Sequence, residues 1–203
     1  MSAKRATKAV AYGRYQPASR AKLREFLDAC HATSDGFWLV RFKAGHGPQL
    51  SYEEVCEELV RVGWVDSKPA SLDAKRSMLL CTPRKPKSAW SAHNKRRVAA
   101  LTKAGQMHPS GLAAVKAAKA NGTWSALDAV ERLEVPEDLA TRLKALAPAA
   151  RHFEAFPRSV KRQLLEWVAS AKKAETRAVR VEEIATKAQQ NVRANQWRDG
   201  KKS

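Results

Sequence analysis

The stretch from Gly63 to Asn94, GWVDSKPASLDAKRSMLLCTPRKPKSAWSAHN, constrains the fold more than any other part of the chain. Trp64-Val65-Asp66 reads as a short extended segment, and Ser77–Thr82 reads as a strand of apolar and branched residues. Pro83 and Pro86 stop that strand, because proline has no N–H for a ladder. A chain with two extended segments here must build a sheet, and a small sheet needs a covering face. The same stretch opens the longest acid-free region: from Ala74 to Leu127 there is no Asp or Glu and there are eleven Lys and Arg.

The flanking segments supply the cover. Ser19 is placed to cap a helix whose Leu23, Phe26, Leu27 and Cys30 recur at helical spacing. Ser34-Asp35-Gly36 is a turn, and the aromatic run Phe37–Phe42 follows as a strand. Ser51 opens a second helix with Glu53 and Glu54 at its positive end, and Gly63 ends it. Ser91 caps a third helix reaching about Ala104, and a fourth spans about Ser110–Ala120. Beyond Asp128–Pro136 the chain turns wholly helical. Pro136 starts one helix, Phe153 and Phe156 lie on a short one, and Val160, Leu164, Trp167, Val168 and Ala171 share one helix face. That stripe reads either as internal core or as a docking face for a protein partner. Trp38, Leu59, Trp64 and Trp167 are expected in the core.

The predicted class is α+β and mainly helical: a small N-terminal sheet with packed helices, then a C-terminal helical domain. The predicted divisions are a disordered basic arm over 1–16, an α+β domain over 17–127, a helical domain over 128–195 and a frayed tail over 196–203.

Charge then narrows the partner. The chain carries a formal net charge of +18, and 44% hydrophobic residues are enough to bury a core rather than leave it disordered. An anionic partner is favoured, nucleic acid or another polyanion. Phosphate contact needs clustered cations, and base stacking needs an exposed aromatic ring. Arg84, Lys85, Lys87, Lys95, Arg96 and Arg97 offer the charge, and Trp90 sits among them. Ser91 and Asn94 mark a helix N-terminus that favours anions. No helix-turn-helix, zinc-finger or RNA-recognition signature is present, so the expected binding is weak and sequence-tolerant.

Chemistry is the alternative. Asp66, Arg84, Trp90, Ser91 and Asn94 would converge on the cleft of a small enzyme if Asp66 and Arg84 paired as base and anion clamp, and Trp64, beside Asp66, is a further ligand-binding candidate. The competing reading is a structural ion pair. A phosphate-binding loop, a nucleophile elbow and a dinucleotide fingerprint are missing, and the five histidines lack ligand spacing, so no cofactor, metal or catalytic residue is assigned. Three cysteines without a CxxC suit a reducing compartment. With no apolar leader or membrane-length run, the expectation is a cytoplasmic protein.

Several separated motifs resemble one family. Gly63–Asp66, Thr82–Lys85, Ser88–Asn94 and Gly105-Gln106-Met107 are similar to the YdeI/OmpD-associated, or bacteriocin-protection, family. The similarity extends back to Ser34–Trp38 and Leu50–Glu54, and forward to Leu165-Glu166-Trp167 and Ser170–Ala178. The resemblance implies a C-terminal helical domain and either resistance to antimicrobial peptides or an association with an outer-membrane porin. Apart from the resemblance, a role in stress resistance and a protein-binding stress adaptor whose C-terminal helices dock a partner are further readings. The resemblance implies no catalytic residue. Ser67 stands where the family pattern has glycine, and Leu80-Cys81 where it has Arg-Phe.

Overall fold

The computed structural model describes residues 12–48 and 50–195. The chain divides into two units, Met1–Ser125 and Ala126–Ser203. Most of the predicted 1–16 arm and the 196–203 tail lie outside the described residues.

The first unit holds a four-stranded sheet of order β1-β2-β4-β3. Its strands are β1 (Arg14–Tyr15), β2 (Phe37–Phe42), β3 (Trp64–Ser71) and β4 (Arg76–Pro83). Sequence predicts three strands; the fourth, β1, pairs parallel with β2 through Arg14–Trp38 and Tyr15–Leu39. Residues 14 and 15 therefore do not belong to a disordered arm. The Tyr15 ring stacks on Phe26 at 3.9 Å, and its hydroxyl donates to the Lys22 carbonyl at 3.0 Å. β3 also runs further than Asp66. A register shift between Asp66 and Pro69 carries it to Ser71, and Pro69 is tolerated because β3 is an edge strand.

Helices α1 (Arg20–Cys30) and α2 (Tyr52–Arg61) begin at local caps. The Ser19 side chain accepts from the Lys22 N–H, and Ser51 forms a reciprocal capping box with Glu54. Period-two alternation sends Phe37, Leu39, Trp64, Leu79 and Cys81 to one sheet face, where they meet Leu23 and Leu27 of α1 and Val55 and Leu59 of α2. Trp38 faces the other way and is only half-buried, contrary to expectation. A buried ion network links the two helices: Glu58, fully buried, accepts from Arg20, Arg24 and Arg61.

The opposite side of α2 packs on α3 (Ala92–Lys103) and α4 (Pro109–Ala120). Val60, Trp90, Val98, Leu101, Val115 and Ala118 form this second core. The approach of α4 to the end of α2 depends on Gly111: a Cβ there would collide with the Arg61 backbone carbonyl. Gly111→Ala is thus expected to cost about 1–3 kcal/mol by overpacking, measured by urea unfolding. A neutral or stabilising result would show that α4 shifts freely.

The second unit is helical: α5 (Asp128–Glu131), α6 (Glu137–Ala145), α7 (Ala149–Ala155), α8 (Arg158–Ala169) and α9 (Ala174–Gln189). Its core joins Leu139, Leu143, Phe153, Leu164, Val168 and Ile184. Val160, Leu164 and Val168 are inside that core, so most of the α8 stripe is internal rather than a free docking face. Trp167 packs only at its edge, half-buried, with the Arg180 guanidinium 5.2 Å from its ring centre.

Candidate polyanion-binding face

The acid-free region folds into β4, α3, α4 and their connections, all but Ala126 and Leu127 in the first unit. Its charges fall into two groups once the acids of α2 are taken into account. The α2 carboxylates are engaged: Glu53 takes Arg97 in a two-pronged pair at 2.7 and 2.5 Å, and Glu57 takes Arg20 at 2.7 Å. Arg97 also donates to the Asn94 Oδ1 at 2.7 Å, so neither Arg97 nor the Asn94 oxygen is available to a ligand. Glu53 is correspondingly held below the usual carboxylate range, chiefly by the Arg97 hydrogen bond.

Arg84 is withdrawn in another way. Its guanidinium lies 4.0 Å from the Trp90 ring centre, Nη1 donates to the Ala89 carbonyl at 3.2 Å, and Nε is buried without a hydrogen-bond partner. Burial pushes its pKa down to about 10, partly opposed by the Asp66 charge, so Arg84 stays cationic at neutral pH. Asp66 forms no ion pair with it among the described residues; Asp66 accepts from the Tyr52 hydroxyl at 2.8 Å, with the Cys56 Sγ at 3.9 Å. The expected Asp66–Arg84 clamp is therefore not assembled. Burial, followed by the hydrogen bond to Asp66, raises the Tyr52 pKa, and burial raises that of Cys56, so neither is set up as an anionic nucleophile.

Two tryptophans leave the candidate site. Trp64 is 2% exposed in the sheet core, its Nε1 donating to the His31 carbonyl. Trp90 is 1% exposed beneath α3 and α4 and cannot stack on a base. Ser91 is occupied as the α3 N-cap, accepting from the Asn94 N–H.

The outward group remains. Lys85, Lys87 and Arg96 are exposed, and Arg96 contacts the His93 Nδ1 at 2.9 Å. Lys116 and Lys119 are exposed along α4. Among the described residues, none of these five has a carboxylate within ion-pair distance. The 85–87 segment is tied to the end of α4: Asn121 donates to the Pro86 carbonyl at 2.8 Å, and Trp90 N–H donates to the Thr123 carbonyl at 3.3 Å. Cations from two distant parts of the sequence are thereby brought to one neighbourhood. Lys116, Lys119 and Trp124 are not among the sequence candidates. The signal was the Asn121-Gly122 turn, with Gly122 at φ +78, which returns the chain so that the Trp124 N–H reaches the Ala118 carbonyl.

Among the described residues, no group of three or more His, Cys, Asp or Glu is arranged to hold a metal, and no helix is long and apolar enough to cross a membrane.

Fold and face define the class: an α+β unit with a basic, partly unneutralised surface, followed by a small helical unit. Residues 132–191 of that helical unit match the family model described as bacteriocin-protection, YdeI or OmpD-associated. Residues 15–114 match a separate family described as a domain of unknown function (DUF8412), so the motifs at Gly63–Asp66 and Ser88–Asn94 fall in that match. No curated protein and no solved structure matches the chain.

Proposed function

We propose that this protein is a non-catalytic, cytoplasmic binder of a polyanion, engaged by the face built from Lys85, Lys87, Arg96, Lys116 and Lys119. The observation that carries the reading is the division of charge. The α2 acids hold Arg97 and the arginines of α1 and α2, while none of these five cations has a carboxylate within ion-pair distance among the described residues, Arg96 lying only in the longer-range field of Glu53. Unpaired surface cations gain by releasing counterions from a phosphate or sulfate polymer. Three free cysteines, two of them buried, suit a reducing compartment. The small-enzyme alternative rests on an Asp66–Arg84 clamp that does not form. The family that residues 132–191 match is described by bacteriocin protection, and a stress-resistance role for such a binder is compatible with that description.

The test is a variant in which Lys85, Lys87, Arg96 and Lys119 all become Gln. It is expected to fold normally, because all four side chains are exposed. It should lose about three units from the log–log salt slope of DNA binding, at roughly 0.7–0.9 per phosphate contact. Changing Arg84 and Arg97 instead should leave the slope nearly intact. Equal slopes for wild type and the quadruple variant would remove this face from the account.

A further inference from the structure

Trp124 is the aromatic ring that the basic face presents. It follows α4 in the turn closed by Gly122 and is half-buried, one side packed against the core of α2, α3 and α4. Its ring centre is 5.2 Å from that of Trp90, which fixes it from beneath. Lys95 of α3 and Lys119 of α4 place their ammonium groups 5.4 and 5.3 Å from the same ring centre. Two chain segments thus put a cation beside one indole, and the Pro86 carbonyl accepts from Asn121 three residues before it, bringing Lys85 and Lys87 nearby.

We propose that Trp124 is a stacking platform for a base of single-stranded nucleic acid, with Lys119 taking the neighbouring phosphate. This rests on the polyanion reading above and names its ligand class. The magnitudes favour the exchange. A lysine over a partly exposed ring is worth about 2- to 5-fold. A base stacked on an aromatic ring is worth about 5- to 150-fold, and the displaced Lys119 ammonium then gains a phosphate contact. A duplex, whose bases already stack on each other, has no free face to offer. Sulfated polysaccharide has charge but no base.

The experiment compares a fluorescent thymidine 12-mer, an abasic 12-mer with the same phosphates, a DNA duplex and heparin, on the full chain. Wild type is expected to prefer the thymidine 12-mer over the abasic one by about tenfold or more. Trp124→Leu should reduce that preference to within about twofold while leaving heparin affinity unchanged, and Trp124→Phe should keep most of it. As a check independent of any variant's folding, a 12-mer carrying 5-iodouracil should photo-cross-link to Trp124 in wild type. A wild-type ratio near one, a ratio that survives Trp124→Leu, or cross-linking confined to other residues overturns the stacking role. If heparin and the abasic strand bind while bases add nothing, stacking alone fails. If none of the four probes binds at low salt, the polyanion reading fails with it.

Discussion

Glu58→Ala is expected to destabilise the first unit by about 3–5 kcal/mol, the cost of removing one partner from a buried ion network. Glu58 is fully buried on α2. Its Oε1 accepts from Arg20 at 2.6 Å and from Arg24 at 2.8 Å, and its Oε2 from Arg24 at 2.9 Å and Arg61 at 3.2 Å. Arg61 is itself only 6% exposed and also pairs with Asp28. Deleting the carboxylate leaves three guanidinium groups facing one another, one of them without access to water. Burial alone would raise the Glu58 pKa, but the hydrogen bonds from Arg24 and Arg20 outweigh it and hold the group below its ordinary value. The sign follows from that depression. The contribution is fully present above the unfolded glutamate pKa, near 4.3, and is lost as pH falls through the lower folded value. Glu58→Gln should therefore weaken the protein at neutral pH and flatten the acid limb of its stability curve. Urea titrations from pH 7 to pH 2 measure both effects; a loss under about 1 kcal/mol with an unchanged acid limb would contradict the network's role.

Trp90→Ala is expected to cost a similar amount, about 3–5 kcal/mol, for a different reason. Trp90 is the largest side chain in the core between α2, α3 and α4, and it is 1% exposed. Its removal leaves a cavity under Val98, Leu101 and Val115. It also takes away the ring on which Arg84 lies and the support beneath Trp124. Arg84 already has a buried Nε without a partner, so losing the ring leaves its charge still less compensated. Chemical denaturation gives the number, and Trp90→Phe should recover about half of it. If Trp90→Ala were as stable as wild type, the ring would have to be peripheral, and its place beneath the basic face would be wrong.

The helices and the two central strands were legible because their signals are local. Ser19, Ser51 and Ser91 cap the helices they precede, and the Phe37–Phe42 and Ser77–Thr82 runs became β2 and β4. What could not be read depends on partners far along the chain. β1 is two residues long, and only its pairing with β2 makes it a strand. Trp90, in a run of lysines and arginines, looked like a stacking ring; the end of α4 and the Thr123 carbonyl, more than thirty residues later, bury it. Arg97 is one of several cations that the α2 acids could reach, and Glu53, 44 positions earlier, takes it. The charge of the acid-free region was legible as a total, but which of its cations stay unpaired was decided by the fold: Glu53 takes Arg97, Asp73 takes Arg76, and Arg84 is buried against Trp90. Of the residues offered by the sequence, Lys85, Lys87 and Arg96 are exposed while Trp64 and Trp90 are buried, and the proposed face adds Lys116, Lys119 and Trp124.

The central claim is that this outward set binds a polyanion, and a salt titration of wild-type binding tests it most directly. Fluorescence anisotropy with a single-stranded oligonucleotide and with a duplex, from low to physiological salt, yields the slope of log affinity against log salt. Contact with about four to five phosphates predicts a slope of about −3 to −4.5, with micromolar or weaker affinity at physiological salt. No binding at low salt, or an affinity that does not change with salt, would contradict it.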